Sequence, residues 1–202
     1  MKRHIRRIAL AAFAVACVYL WGIATDSQAL HDSLLRLHVV GASDSGADQN
    51  VKLQVRDAVL ASLEEGLQDL TDVDAAVEYV EGMLPKLEAA ANRVLAAAGF
   101  EDTVAVSVTE EAFPTREYET FTLPAGVYRA LRVVIGEGEG KNWWCVVFPR
   151  LCMGTSEEFV ETANMAGLSD ELTGTLEGDC EIRFWLLEKL GQVKNYLFSS
   201  SE

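Results

Sequence analysis

The chain has 202 residues, half of them hydrophobic, and a formal net charge of −14. That length holds one domain plus a targeting segment, and that apolar content excludes disorder throughout. The charge excludes sequence-independent binding to nucleic acid, which needs Lys and Arg to displace counterions from phosphates.

The chain begins MKRHIRR, continues with an apolar run of 16 residues from Ile8 to Ile23, and then reads ATDSQA. A basic segment, an apolar run and a small-residue stretch in that order make an export signal. Ser27 and Ala29 occupy the small positions of an A-x-A-like site, so cleavage is expected after Ala29, with Ala24 as a second option. The run is slightly short for a span, and an uncleaved anchor is the alternative. Cys17 does not mark a lipoprotein, because it lies mid-run and Ala14 stands where a bulky aliphatic belongs. Without residues 1–29 the chain keeps 13 basic and 30 acidic residues, a net of −17. Anionic headgroups repel such a domain. Residues 30–202 are therefore expected to form a soluble exported domain that meets membrane only through its N-terminal segment, if that stays uncut. Export also lets disulfides persist. Cys145, Cys152 and Cys180 remain, which allows one pair and one free thiol in three pairings.

SLLRLHVV (33–40) predicts a strand, with Leu35, Leu37 and Val39 alternating with Arg36 and His38. GASDSGAD (41–48) is a loop, and Ser45 with Asp48 makes a capping pattern for the helix that follows. Val51, Val55, Ala58, Val59 and Ser62 mark the inner stripe of that helix, which ends near Gly66. Residues 71–99 open on a second cap pattern, Thr71 and Asp74, and keep helical period, with Gly99 as the stop. Pro85 inside this run predicts a kink or two helices. Strands are expected at 103–108, 127–136 and 143–148, with 111–126 a loop or irregular strand pair and 136–142 a tight connection. The acidic stretch 155–179 reads as a mobile loop with one short helix, and 181–198 as a final amphipathic helix. The order is β-α-α-β-β-β-α, a single α+β domain with helices packed on a small mixed sheet.

GASDS (41–45) between strand and helix invites a nucleophile-elbow reading. Its last residue is Ser45 rather than Gly, and no histidine lies downstream of Ser43, since the chain holds only His4, His31 and His38. A helix cap is the better account. Asp44 and Asp48 lack the spacing of a calcium loop, and no Cys or His pair has zinc spacing, so no metal is expected. GEGEGK (136–141) has Ile135 and Asn142 where a phosphate loop needs Gly and Ser or Thr, so a β-turn is expected. No catalytic residue, cofactor or small-molecule substrate is indicated. Lys52 and Arg56 lie four apart on the first helix, away from the apolar stripe, as a small basic spot. NWWCVVF (142–148) is apolar on both faces, which predicts a central, doubly covered strand. One Trp belongs to the core; Trp144, if exposed, is a partner anchor. Seven straight strand residues would separate Cys145 and Cys152 by roughly 23 Å, against the ~5.5 Å a disulfide needs. They pair if the chain folds back at Pro149; Cys145 with Cys180 is the next pairing.

RLHVVGASDSGADQNVKLQVRDAV (36–59), FPTREY (113–118), LPAGVYRALRVVIGEGEGKNWWCVVFPRLC (123–152) and RFWLLEKL (183–190) together resemble the stage II sporulation protein R family. The resemblance covers nearly all of the chain after residue 30, and the block from Pro124 to Cys152 is its most specific part. It departs at Ala42, where the family has Asn, and at Arg150, where it has a second Pro; 155–179 matches nothing clearly. The resemblance implies a secreted signal of endospore-forming bacteria, made in the forespore and exported into the space between the two membranes. There it would trigger a membrane-embedded aspartic protease of the mother cell that processes pro-sigma-E. It implies no catalytic residue and no cofactor. The residues expected to meet that partner are Trp144, Lys52, Arg56 and, in the 113–118 loop, Arg116 and Tyr118. The rival readings are an exported cell-wall hydrolase and a wall-binding module.

Overall fold

A computed structural model describes residues 2–149, 162–164 and 167–200. The elements, in chain order, are α1 (Lys2–Asp32), β1 (Leu35–Val40), α2 (Gly46–Leu67), α3 (Val73–Ala97), β2 (Val104–Phe113), β3 (Arg116–Glu117), β4 (Thr122–Leu123), β5 (Gly126–Ile135), β6 (Asn142–Phe148), α4 (Asp170–Glu177) and α5 (Glu181–Ser199). This is the α+β arrangement the periodicities predict. Ser45 caps α2 as expected, its hydroxyl accepting from the Asp48 amide at 3.0 Å. Asp72 rather than Thr71 caps α3, accepting from the Ala75 amide at 3.1 Å.

The four-stranded sheet runs β2-β5-β1-β6. β1 pairs in parallel with β5 and antiparallel with β6, and β5 pairs antiparallel with β2. The sheet is therefore mixed and small. β3 and β4 form a separate two-stranded ribbon.

Each face of the sheet carries its own core. On one face Leu35, Leu37 and Val39 of β1 meet Val51, Val55, Val59 and Leu63 of α2 and Val80, Leu87 and Leu95 of α3. On the other, Tyr128 and Val146 meet Ile23 and Leu30 of α1, Leu123 of β4, Leu172 of α4 and Leu187 of α5. This second layer changes the meaning of the alternation in β1. Arg36 and His38 alternate with leucines and valines as solvent-facing residues do, yet both are buried.

Two expectations are corrected here. β6 lies at the end of the described strand order and not in its centre. Its apolar residues on both faces report the two covering layers: Trp143 and Cys145 pack with the first, Trp144 and Val146 with the second. Side-chain alternation reads faces and carries no information on lateral neighbours. Pro85 does not divide the second helix: α3 is one helix of 25 residues with Pro85 inside it. The carbonyl that loses its partner belongs to Glu81, four residues back. Glu81, Gly82 and Pro85 are all exposed, so the lost bond falls on the solvent side of the helix while Val80, Leu87 and Ala91 hold the opposite face in the core.

The 136–142 segment is a turn. Gly136 and Gly138 have φ of 57° and 69°, which Cβ-bearing residues rarely adopt. It docks on the GASDS loop: the Gly140 amide donates to the Gly41 carbonyl at 2.8 Å, and the Lys141 amide to Asp44 Oδ1 at 2.7 Å. A Cβ at Gly140 would meet the Ser43 carbonyl. The two Gly-rich loops brace each other.

Candidate docking groove along strand β6

A groove of about 760 Å³ follows β6. Its walls are α2, through Arg56, Leu60 and Glu64, and the β3 ribbon, through Arg116 and Tyr118; Trp143, Trp144 and Val146 of β6 lie between them. Four of the five residues expected to meet a partner, Arg56, Arg116, Tyr118 and Trp144, thus line one cavity.

The strand's pleat sends its two tryptophans to opposite faces, and each meets an arginine. The Arg56 guanidinium lies 4.6 Å from the Trp143 ring centre and also pairs with Asp57 at 2.6 Å. Arg116 lies 5.6 Å from the Trp144 ring. Contacts of this kind contribute about 0.5–1 kcal/mol at exposed sites. Trp144 is held from behind: it stacks on His38 at 3.8 Å and 14°, and meets Phe113 edge-on at 4.7 Å. His38 is fixed in turn, Nδ1 on Glu111 Oε2 at 2.8 Å and Nε2 on Asn142 Oδ1 at 2.9 Å. Glu111 also pairs with Arg132 at 3.3 Å.

Arg36 lies behind this wall, fully buried between Phe113 and Tyr128, with its guanidinium 4.1 and 4.9 Å from their centres. Nη2 donates to the Tyr118 hydroxyl at 2.7 Å, while Nε and Nη1 have no hydrogen-bond partner. Arg116 Nε and Trp144 Nε1 are likewise buried without one. All four unsatisfied atoms are donors. A buried donor without an acceptor costs about 1–3 kcal/mol, so the Tyr118 hydroxyl that Arg36 does reach matters to the stability of this wall. Tyr118→Phe tests how tightly the set is balanced. It takes from Arg36 the hydroxyl acceptor while keeping the ring that stacks on Phe121 at 4.7 Å. A stability loss of roughly 1–3 kcal/mol is expected in urea titration; an unchanged midpoint would mean that the guanidinium finds another acceptor.

Lys52 is not part of the groove. The inner stripe of α2 includes it, and it is 4% exposed. Its ammonium donates to Gln49 Oε1 at 2.6 Å and to the Lys141 carbonyl at 2.8 Å, which ties α2 to the 136–142 turn. Burial is the main cause that lowers its pKa from the usual value. The expected exposed basic spot is therefore reduced to Arg56. A long side chain beside the apolar stripe can bury its stem and bring its charge to a carbonyl, and residue spacing does not show that the carbonyl is there. Sequence reasoning also missed Arg36, His38, Glu111 and Phe113 as the groove's support. Arg36 and His38 read as the solvent-facing side of β1, and Glu111 and Phe113 fall in the stretch expected to be a loop or irregular strand pair, so the periodicities held no signal for them.

Cys145 is disulfide-bonded, whereas Cys17 and Cys180 carry free thiols. The alternative pairing of Cys145 with Cys180 is thereby excluded. Cys152, the expected partner, lies outside the described residues.

A family model described as stage II sporulation protein R (spore_II_R) matches residues 31–158. Among curated proteins, stage II sporulation protein R of Bacillus subtilis (strain 168) is 36% identical over 121 residues, covering 60% of this chain and 54% of that protein. The chain thus aligns with about half the length of the curated relative it matches. No solved structure matches.

Proposed function

The chain belongs to the stage II sporulation protein R family, and from that premise we propose that it is an exported sporulation signal. In this reading it acts in the space between forespore and mother cell and activates a membrane-embedded aspartic protease that processes pro-sigma-E. The observation that carries the reading to particular residues is the groove along β6. It joins two tryptophans and two arginines, and it lies within the matched residues 31–158. The Trp and Arg anchors have the composition of interaction hot spots.

An activator needs only to bind the active arrangement of its receptor more tightly than the inactive one. Moving the receptor from rarely to mostly active asks for ~5.5 kcal/mol of differential binding. Two aromatic anchors at about 2 kcal/mol or more each, with a charge-assisted contact to Arg116, supply a term of that size. The positive charge of Arg56 and Arg116 along the groove favours a docked segment that carries carboxylates.

The test is reconstitution in a non-sporulating host that expresses this chain, the receptor protease and pro-sigma-E, with the size of sigma-E as the readout. Processing that appears only when the chain is present and exported is the expected result. Unprocessed sigma-E beside exported, folded protein would overturn the reading and bring forward a wall hydrolase or a wall-binding module.

A further inference from the structure

We propose that α1 is retained after export as a membrane anchor, and that the bilayer seats both α1 and the outward face of α5. The chain properties behind this are independent of the groove. α1 changes character at Gly22. From Arg3 to Trp21 every residue is exposed; the apolar part of this stretch, Ile8 to Trp21, covers about 21 Å of helix, and the basic residues before it reach the headgroups by snorkelling. Beyond Gly22, residues Ile23, Ser27, Leu30 and His31 are buried. Their spacing makes one stripe on a 3.6-residue helix, and it faces Leu172, Leu176 and Leu187 of α4 and α5.

Polar contacts lock the same segment. Arg183 of α5, 7% exposed, donates to Asp26 Oδ2 at 2.5 Å and also pairs with Glu171. Lys194 donates to Gln28 Oε1 at 2.8 Å. The Arg129 guanidinium donates to the Asp32 carbonyl at 2.8 Å. Ser27 and Ala29, the small residues of the expected cleavage site, lie inside this docked helix, with Ser27 5% exposed. For a peptidase to take the segment as an extended strand, this turn must unwind, the Asp26–Arg183 pair must break and Ile23 must leave the core. Asp26, Gln28, Arg183 and Lys194 all lie outside residues 31–158, so family membership does not imply the contact.

α5 crosses α1. Arg183 and Lys194 are eleven residues apart, about 16 Å along a helix, yet they reach α1 positions about 3 Å apart. The buried residues of α5 are Arg183, Leu187 and Gly191, and a Cβ at Gly191 would meet the Ala125 carbonyl. Its other face exposes Ile182, Trp185, Val193 and Tyr196, with Lys189 among them. Apolar residues with Trp, Tyr and a snorkelling Lys are the composition of a helix at a membrane interface. The exposed apolar surface of α1 thus continues onto a helix crossing its base. The basic residues Lys2, Arg3, Arg6 and Arg7 hold the far end of α1 on the cytoplasmic side.

The full chain, tagged at its C-terminus and exported from a bacterial host, supplies the first test. The expected result is the mass of the uncut chain, in membranes that survive alkaline carbonate washing. A soluble chain beginning at Leu30 or Thr25 would overturn the proposal. Arg183→Glu is expected to raise the cut, released fraction at least tenfold, and Asp26→Lys combined with Arg183→Glu to restore retention. An Arg183→Glu chain as intact as its parent would remove docking as the cause and overturn it. For α5, a chain with Trp21, Trp143 and Trp144 changed to Phe keeps Trp185 as its only tryptophan. In vesicles of phosphatidylcholine brominated near the headgroup, its emission is expected to fall at least twofold relative to unbrominated lipid. Unquenched emission would overturn the seating of α5. None of these readouts involves the receptor.

Discussion

If the proposed function holds, Arg116→Glu is expected to lower sigma-E processing by about thirtyfold or more while the protein stays folded, the equivalent of ~2 kcal/mol of lost docking energy. Arg116 is half-buried on β3, its guanidinium faces Trp144 at 5.6 Å, and its Nε has no acceptor. Within the chain it therefore has little to lose beyond about 0.5–1 kcal/mol of cation–π attraction. Toward a partner that brings acceptor oxygens, the reversal replaces an attraction with a repulsion. Arg116→Lys separates charge from geometry: it keeps the cation but loses the planar fork that grips a carboxylate in two places. An intermediate loss of processing is expected from it. Processing by Arg116→Glu at the parent rate, with exported protein at the parent level, would remove this side of the groove from the docking surface.

Acid is expected to loosen the junction between α1 and the rest of the domain. The His31 ring is buried against Tyr128, 4.4 Å between centres, and neither nitrogen makes a hydrogen bond of good geometry. Burial, aided by the nearby Lys194 charge, pushes its pKa down from 6.5 to about 4. The unfolded chain takes up a proton on this residue as pH falls through 6.5, while the folded chain does so only near 4. The stabilisation is thus fully present above pH 6.5 and is lost as pH falls toward 4, by roughly 3 kcal/mol in all. Urea titrations of the full chain in micelles at pH 7.5 and 5.0, set beside His31→Gln, isolate the effect. The parent should lose about 2 kcal/mol more than the variant between those pH values. Equal losses in the two proteins would show that His31 does not govern the acid response.

The groove was partly legible in the sequence, and the reasons are specific. Trp144 stood out because an aromatic pair heads a strand with no polar face, and Arg116 and Tyr118 because they belong to a block shared with a family. Lys52 was misplaced because a helical stripe ranks positions by angle, whereas burial of a long side chain depends on what its tip can reach. Here that is the Lys141 carbonyl, 89 residues away in sequence. Arg36 could not be found by pattern at all. An arginine between two leucines of a strand reads as a solvent-facing residue until a second layer of helices covers it.

What the sequence determined by itself was local: the basic-then-apolar N-terminus, the caps of α2, the strand and helix periods, and the mixed α+β class. These follow from propensities and repeat lengths that act over a few residues. Tertiary structure alone decided the order of the described strands, which charges are buried, and that the end of α1 belongs to the domain's core. Those outcomes depend on contacts between distant segments: Asp26 meets Arg183 across 157 positions, and Trp144 meets His38 across the sheet. A linear pattern carries the faces of each element, but not which faces meet.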